Sequence, residues 1–284
     1  MPSLIDLRRR IGSIKNTQQI TRAMKMVAAA RLRRSQDKVL AARPYADELR
    51  RIVTNLSSRM GDRRHALLEE REEKKILLAV VTGDKGLCGS FNTNVIRQAG
   101  REIKQRDQVE LLLLGRRGAD FFKRRPTPIR QSYTTLFANV TFECAETIAT
   151  DVTAAFTAHE YDAVYVVYNQ FVSVIEQNLT TERLLPLRSA EDADASSGSE
   201  FLLEPAPSDV LSKVVEGYVS SQVYRILLDS QAAEHAARMT AMDSATKNAG
   251  ELIDSLTLTY NRSRQAAITK ELIEVISGAK ALEG

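Results

Sequence analysis

The stretch with the strongest claim to chemistry is Thr82-Gly83-Asp84-Lys85-Gly86-Leu87-Cys88-Gly89-Ser90. It follows the apolar run Ile76 to Thr82 and precedes a helix-like segment, Asn92 to Lys104. Strand, glycine turn and helix start, in that order, are what a phosphate loop requires, because backbone N–H groups can then converge on phosphate oxygens. The spacing argues against that use. Gly83, Gly86 and Gly89 recur every third residue, which fits neither G-x-x-x-x-G-K-[ST] nor G-x-G-x-x-G, and Lys85 precedes the last glycine instead of following it. A tight turn in which Ser90 or Asn92 caps the next helix accounts for the same residues. Other candidates are weaker. His65, His159 and His235 fall in three separate regions without ligand spacing, so neither zinc nor a histidine-based triad is indicated. Cys88 would be reactive if it lay at a helix N-terminus; a buried structural thiol is the simpler reading. The basic run Arg31, Arg33, Arg34 and Lys38 could meet phosphate backbones. It lacks interleaved aromatics and any DNA-binding motif, so nucleic acid is not expected as a partner. The chain offers no catalytic residue, no cofactor site and no metal site.

The elements that would hold such residues follow from composition. The 284 residues are 43% hydrophobic and 27% charged, with two cysteines. This is ordinary globular composition and excludes disordered, collagen-like and disulfide-scaffold classes. The apolar runs extend only a few residues, against the ~20 needed to span a bilayer. The opening MPSLIDLRRR places charges where a signal peptide needs an apolar core, so a cytoplasmic chain is expected. Charge is unevenly spread. Residues 1–59 carry 14 Lys/Arg against 4 Asp/Glu, and the remainder carries 26 against 32. A basic arm on an acidic remainder suggests an anionic partner, or simply a solvated helical face.

Three regions separate by pattern. Residues 1–57 read as one long helix, with apolar residues at Leu4, Leu7, Ile11, Ile14, Ile20, Met24, Val27 and Leu32, interrupted by polar Asn16 to Gln19 and bent, if anywhere, before Pro44. Residues 75–188 read as an α/β domain, with strands near 76–82, 110–114 and 163–168 and helices over 92–104 and 143–158. Residues 189–207, rich in Ser, Ala, Asp and Glu, read as a flexible linker. Residues 208–284 contain no proline and step by three and four from Leu211 to Ile276. A single helix of that length would extend ~115 Å, beyond what a compact domain encloses. Two overlong terminal helices are solved by antiparallel pairing as a coiled coil, with the α/β domain where they join it. The expected fold class is therefore α/β plus long helices, with Met24 lying close to 256–268. The N-terminal seam is too polar for an isolated hairpin, so other chains should cover part of it. A mechanical or scaffolding role follows.

The C-terminal ITKELIEVISGAKA (268–281) resembles the signature of the gamma subunit of F-type ATP synthases. So do IGSIKNTQQITRAMKMVAAARLRRSQ (11–36), DKGLCGSFN (84–92) and AARMTAMDSATKNAGELI (236–253). The blocks lie in all three regions and in the family's order. The resemblance implies a non-catalytic rotor shaft. Its terminal helices would form a coiled coil inside a ring of three alpha and three beta subunits, and a Rossmann-like α/β foot would stand with the epsilon subunit on the c-subunit ring. The complex would lie on the cytoplasmic face of a bacterial inner membrane and couple proton-driven rotation to ATP synthesis or hydrolysis. The resemblance also implies beta-subunit contacts at Met24, Arg264, Gln265, Thr269 and Glu271, and an anionic partner for Arg22, Lys25, Arg31, Arg33 and Arg34. The cysteine pair that chloroplast relatives carry in an inserted segment has no counterpart here, so that thiol switch is expected to be absent.

Overall fold

The computed structural model describes residues 3–59, 65–187 and 207–283. In chain order the elements are α1 (Leu4–Arg59), β1 (Lys75–Val81), α2 (Phe91–Gln105), β2 (Gln108–Leu114), α3 (Arg116–Phe122), β3 (Ile129–Tyr133), α4 (Phe142–Thr157), β4 (Ala163–Phe171), β5 (Gln177–Leu185) and α5 (Pro207–Glu283). The acidic stretch 189–200 lies outside the described residues. The chain divides into two compact units, residues 28–238 and residues 1–27 with 239–284.

In the unit 28–238, five strands form one sheet in the order β3-β2-β1-β4-β5. The first four are parallel, and β5 returns antiparallel to β4 as a hairpin. Successive crossovers and this order make the domain Rossmann-like. β1 and β2 are apolar almost throughout because helices cover both faces. One face (Leu78, Val80, Leu111, Leu113, Val167) packs on Val95 and Ala99 of α2 and Phe122 of α3. The other (Leu77, Ala79, Leu112, Leu114, Val166) is covered by α4 and by Val215, Val219, Val223, Ile226 and Leu227 of α5. The first third of α5 is thus part of the domain core. Arg225 fastens it, donating to both carboxylate oxygens of Glu182 at 2.9 and 3.0 Å and to the Tyr168 hydroxyl at 3.2 Å.

α3, β3 and β5 escaped the sequence pattern. β3 (IRQSY) and most of β5 (QNLTTERLL) are edge strands with polar, partly exposed side chains, so neither shows an apolar run. α3 has seven residues and carries Gly118, whose missing Cβ would lie 3.0 Å from Thr82 Oγ1.

In the unit 1–27 with 239–284, α1 and α5 run antiparallel. Ser3 caps α1, accepting the Asp6 amide at 3.1 Å. Gln18 donates to the Thr246 carbonyl at 3.4 Å, the Thr21 and Thr246 hydroxyls are 2.8 Å apart, and Lys25 meets Asp243 at 2.6 Å. The seam is polar because its hydroxyls and charges pair across it. Gly250 lets the Gln18 amide approach, since a Cβ there would stand 3.1 Å from Nε2. This register corrects one expectation: Met24 comes level with residues near 242, 256–262 lie opposite the first turns of α1, and 263–268 lie past its start. The expected result of Thr21→Cys with Thr246→Cys is ready oxidation to a disulfide, and of Met24→Cys with Leu256→Cys none, as read by mobility on non-reducing gels.

Candidate functional site

The glycine turn after β1 has the order of a phosphate loop, but its first amide is already used and a carboxylate of the turn itself occupies the neighbouring amides. The Gly83 amide donates to Asn92 Oδ1 at 2.8 Å. The Asp84 carboxylate stands where an anion would, accepting the amides of Arg116, Thr135 and Phe137, each at 3.0 Å. The expected capping differs in detail. Ser90 is the N-cap of α2, but its hydroxyl caps no backbone amide and instead accepts from Asn94 Nδ2 at 3.2 Å. Asn92 instead laces the turn, also donating to the Lys85 carbonyl at 3.2 Å. Cys88 is buried, and burial pushes its thiol up from the usual range, which makes it a structural cysteine. An opening of about 560 Å³ beside the turn is bounded by Leu87, Ile96, Arg117 and Arg124 among others, and no nucleophile–base pair faces it. Among the described residues no group of three His, Cys, Asp or Glu side chains is placed to hold a metal.

The surface that stands out is the end of α5. Paired residue numbers across the α1–α5 seam add to between 264 and 268. Leu4, the first residue of α1, therefore comes level with residues near 262, and about 20 further residues of α5, ~30 Å of helix, have no α1 beside them. The sequence places Ile268, Leu272, Val275 and Ile276 in the coiled-coil seam. In the structure they are 49–69% exposed, as is Ile273. Contiguous apolar exposure on this scale marks a surface that another chain covers.

Arg264, Gln265, Thr269 and Glu271 all lie on this segment and are exposed. Among the described residues neither Arg264 nor Glu271 forms an ion pair, so both charges are free for a partner. The Thr269 hydroxyl donates to the Gln265 carbonyl at 2.9 Å, which leaves its lone pairs to accept. Met24 is separate. It is half-buried on α1, level with a point on α5 about 22 to 29 residues, or roughly 33–44 Å, before the other four. Its neighbour Lys25 already has an anionic partner within the chain, Asp243, whose carboxyl the lysine holds below its usual range. Arg22, Arg31, Arg33 and Arg34 are exposed and form no ion pair among the described residues. Sequence reasoning found the polar members of the α5 surface and missed its apolar ones. Their period is that of a seam, and only the register shows that the partner helix has ended.

Among the described residues no helix is long and apolar enough to cross a membrane. The family model described as ATP synthase matches residues 3–282. The ATP synthase gamma chain of Pelotomaculum thermopropionicum is 47% identical over 284 residues, covering the whole of both chains. That of Solibacter usitatus is 50% identical over 289 residues with the same coverage. A chain in the central stalk and c ring of the Tetrahymena thermophila mitochondrial ATP synthase superposes with a TM-score of 0.63 at 28% identity, over 80% of this chain and 99% of that one. With a family model spanning nearly every residue and full-length relatives at close to half identity, the chain belongs to the ATP synthase gamma-chain family.

Proposed function

We propose that this chain passes torque through two surfaces of its long helices: the unaccompanied end of α5, with Arg264, Gln265, Thr269 and Glu271, and the basic face of α1 around Met24. The chain is the non-catalytic central-stalk rotor subunit of an F-type ATP synthase. Its partners are the alpha and beta subunits around the helices and the epsilon subunit and c ring at the α/β domain. In this reading the complex sits on the cytoplasmic face of a bacterial membrane. Residues 1–57 and 208–284 serve as the shaft, and 75–188 serve as the foot. The observation that carries the proposal is the exposed apolar and charged end of α5, which no other element covers among the described residues. A surrounding ring of subunits supplies one, and turning within it requires contacts that are few, polar and exchangeable.

Met24→Lys tests the placement of the α1 face. A second ammonium beside Lys25 adds a donor to an already basic surface, and a charge-assisted bond to an acidic beta-subunit loop is worth roughly 1.5–3 kcal/mol. That bond would favour one rotary angle over the other two. The expected result in the assembled complex is ATP hydrolysis retained with proton pumping per ATP severalfold lower, as read by fluorescence quenching in membrane vesicles. Pumping at the wild-type ratio removes Met24 from the contact surface.

A further inference from the structure

The glycine turn after β1 grips α5. We infer that the Glu234–Arg238 pair, seated on that turn, is the lock that fixes α5 in rotation against the α/β domain; this rests on the rotor reading. Arg238 donates from one guanidinium nitrogen to the Gly86 carbonyl and from another to Glu234 Oε1. Both side chains are buried, 13% and 5% exposed. Gly83 makes the seat, because a Cβ there would stand 2.9 Å from Glu234 Cδ. One turn earlier, Gln231 holds the neighbouring loop, donating to the Phe137 carbonyl at 3.3 Å and accepting from Ser35 of α1 at 3.2 Å. Phe137 in turn gives its amide to Asp84 of the glycine turn. Ala233 packs on Cys88 and Phe91 between these polar contacts. Residues 231, 234 and 238 lie on one helix face, and Arg238 is the last residue of the unit 28–238.

The chemistry suits a joint under torsion. Apart from the Arg225 bonds to Glu182 and Tyr168, which lie farther from the shaft, the contacts of Val215 to Leu227 with the sheet are apolar. They resist separation but, being non-directional, oppose rotation about the helix axis weakly. Hydrogen bonds to a fixed carbonyl have direction. A buried ion pair is often no more stabilising than an apolar pair of the same volume, and its attested use is to select one geometry. Burial raises the Glu234 carboxyl above its usual range and the Arg238 guanidinium opposes that rise, so the carboxylate depends on its partner at this site.

The test uses the complete complex carrying a bead on the α/β domain, attached through Arg101→Cys with Cys144→Ser in the background. The readout is the angular spread of the bead during the catalytic dwell. Gly83→Ala displaces only the flexible end of Glu234, and Arg238→Ala removes the donor. Each should widen the spread about twofold or more, with Glu234→Gln, which keeps an acceptor oxygen, between wild type and these. Should Arg238→Ala fail to assemble, Gly83→Ala decides alone, since it leaves the backbone and apolar contacts intact. An unchanged spread in assembled Gly83→Ala complexes overturns the lock, even with a lowered melting temperature, because that combination describes a purely structural pair. A wild-type bead that does not turn at all overturns the rotor reading instead, and the lock with it.

Discussion

Replacing Arg264 and Gln265 together with alanine should slow steady-state ATP turnover of the assembled complex about tenfold and leave single-site turnover, which needs no rotation, unchanged. Both side chains stand exposed on the part of α5 that has outrun α1, so removing them disturbs neither the seam nor the core, and the stability change should stay within about 0.5 kcal/mol. In the proposed rotor contact they act through bonds made at some rotary angles and broken at others. Two hydrogen bonds of ~0.7 kcal/mol net lost at the rate-setting angle come to ~1.4 kcal/mol, which is the tenfold. The measurement compares the two turnover regimes on the same preparation. Equal losses in both would point to damage at the nucleotide sites, and no loss in either would take these residues out of the contact.

Gly115→Ala should cost the α/β domain more than any surface change. Gly115 has φ +106°, and a Cβ there would stand 1.9 Å from the Thr82 carbonyl oxygen. The left-handed backbone alone costs an L-residue about 1–3 kcal/mol. The overlap then has to move Thr82, whose amide donates to the Leu114 carbonyl and whose hydroxyl accepts the Gly118 amide, each at 2.8 Å. A loss above ~4 kcal/mol, or a melting temperature lower by about 10 °C or more, is the expected result by circular dichroism. Gly100→Ala in α2, where nothing lies within 4 Å of the added carbon, should be neutral or slightly stabilising.

These two glycines show what could be read from the residues. The order of long helix, α/β domain and long helix was legible in full, because apolar periods of 3.6 and short apolar runs survive whatever the chain packs against. The strands β1, β2 and β4 are buried on both faces and announced themselves as Val/Leu runs. The edge strands β3 and β5 are half in water, so their composition is that of a loop. The glycine turn reads on spacing as a tight turn, and the structure shows Asn92 lacing it. That it seats an ion pair of α5 was not legible, since Gly83 and Glu234 are 151 residues apart and nothing in either neighbourhood names the other. The register of α1 on α5 was also hidden. A polar seam of threonines, glutamines and one lysine–aspartate pair gives no heptad to align, so the residues level with Met24 were placed some 20 positions too far along. The same ambiguity put Ile268 to Ile276 in a seam that has already ended.

The use of α5 as one wall of the α/β core has a consequence for synthesis. Leu77, Ala79, Leu112, Leu114 and Val166 face Val219, Val223, Ile226 and Leu227, yet β5 ends at Leu185 and α5 begins only at Pro207. At roughly 5–20 residues per second, translation leaves the part of that sheet face not covered by α4 bare for some seconds after the last strand is made. The polypeptide between the peptidyl-transferase centre and the tunnel exit lengthens the interval further. A mostly parallel sheet with a half-covered apolar face is the kind of nascent species that holdase chaperones bind and that aggregates without them. The domain therefore closes late, by capturing a helix from the C-terminal quarter of its own chain. C-terminal truncations that enter residues 215–228 should accumulate as ribosome-exit aggregates, whereas truncations beyond Arg238 should release a folded α/β body.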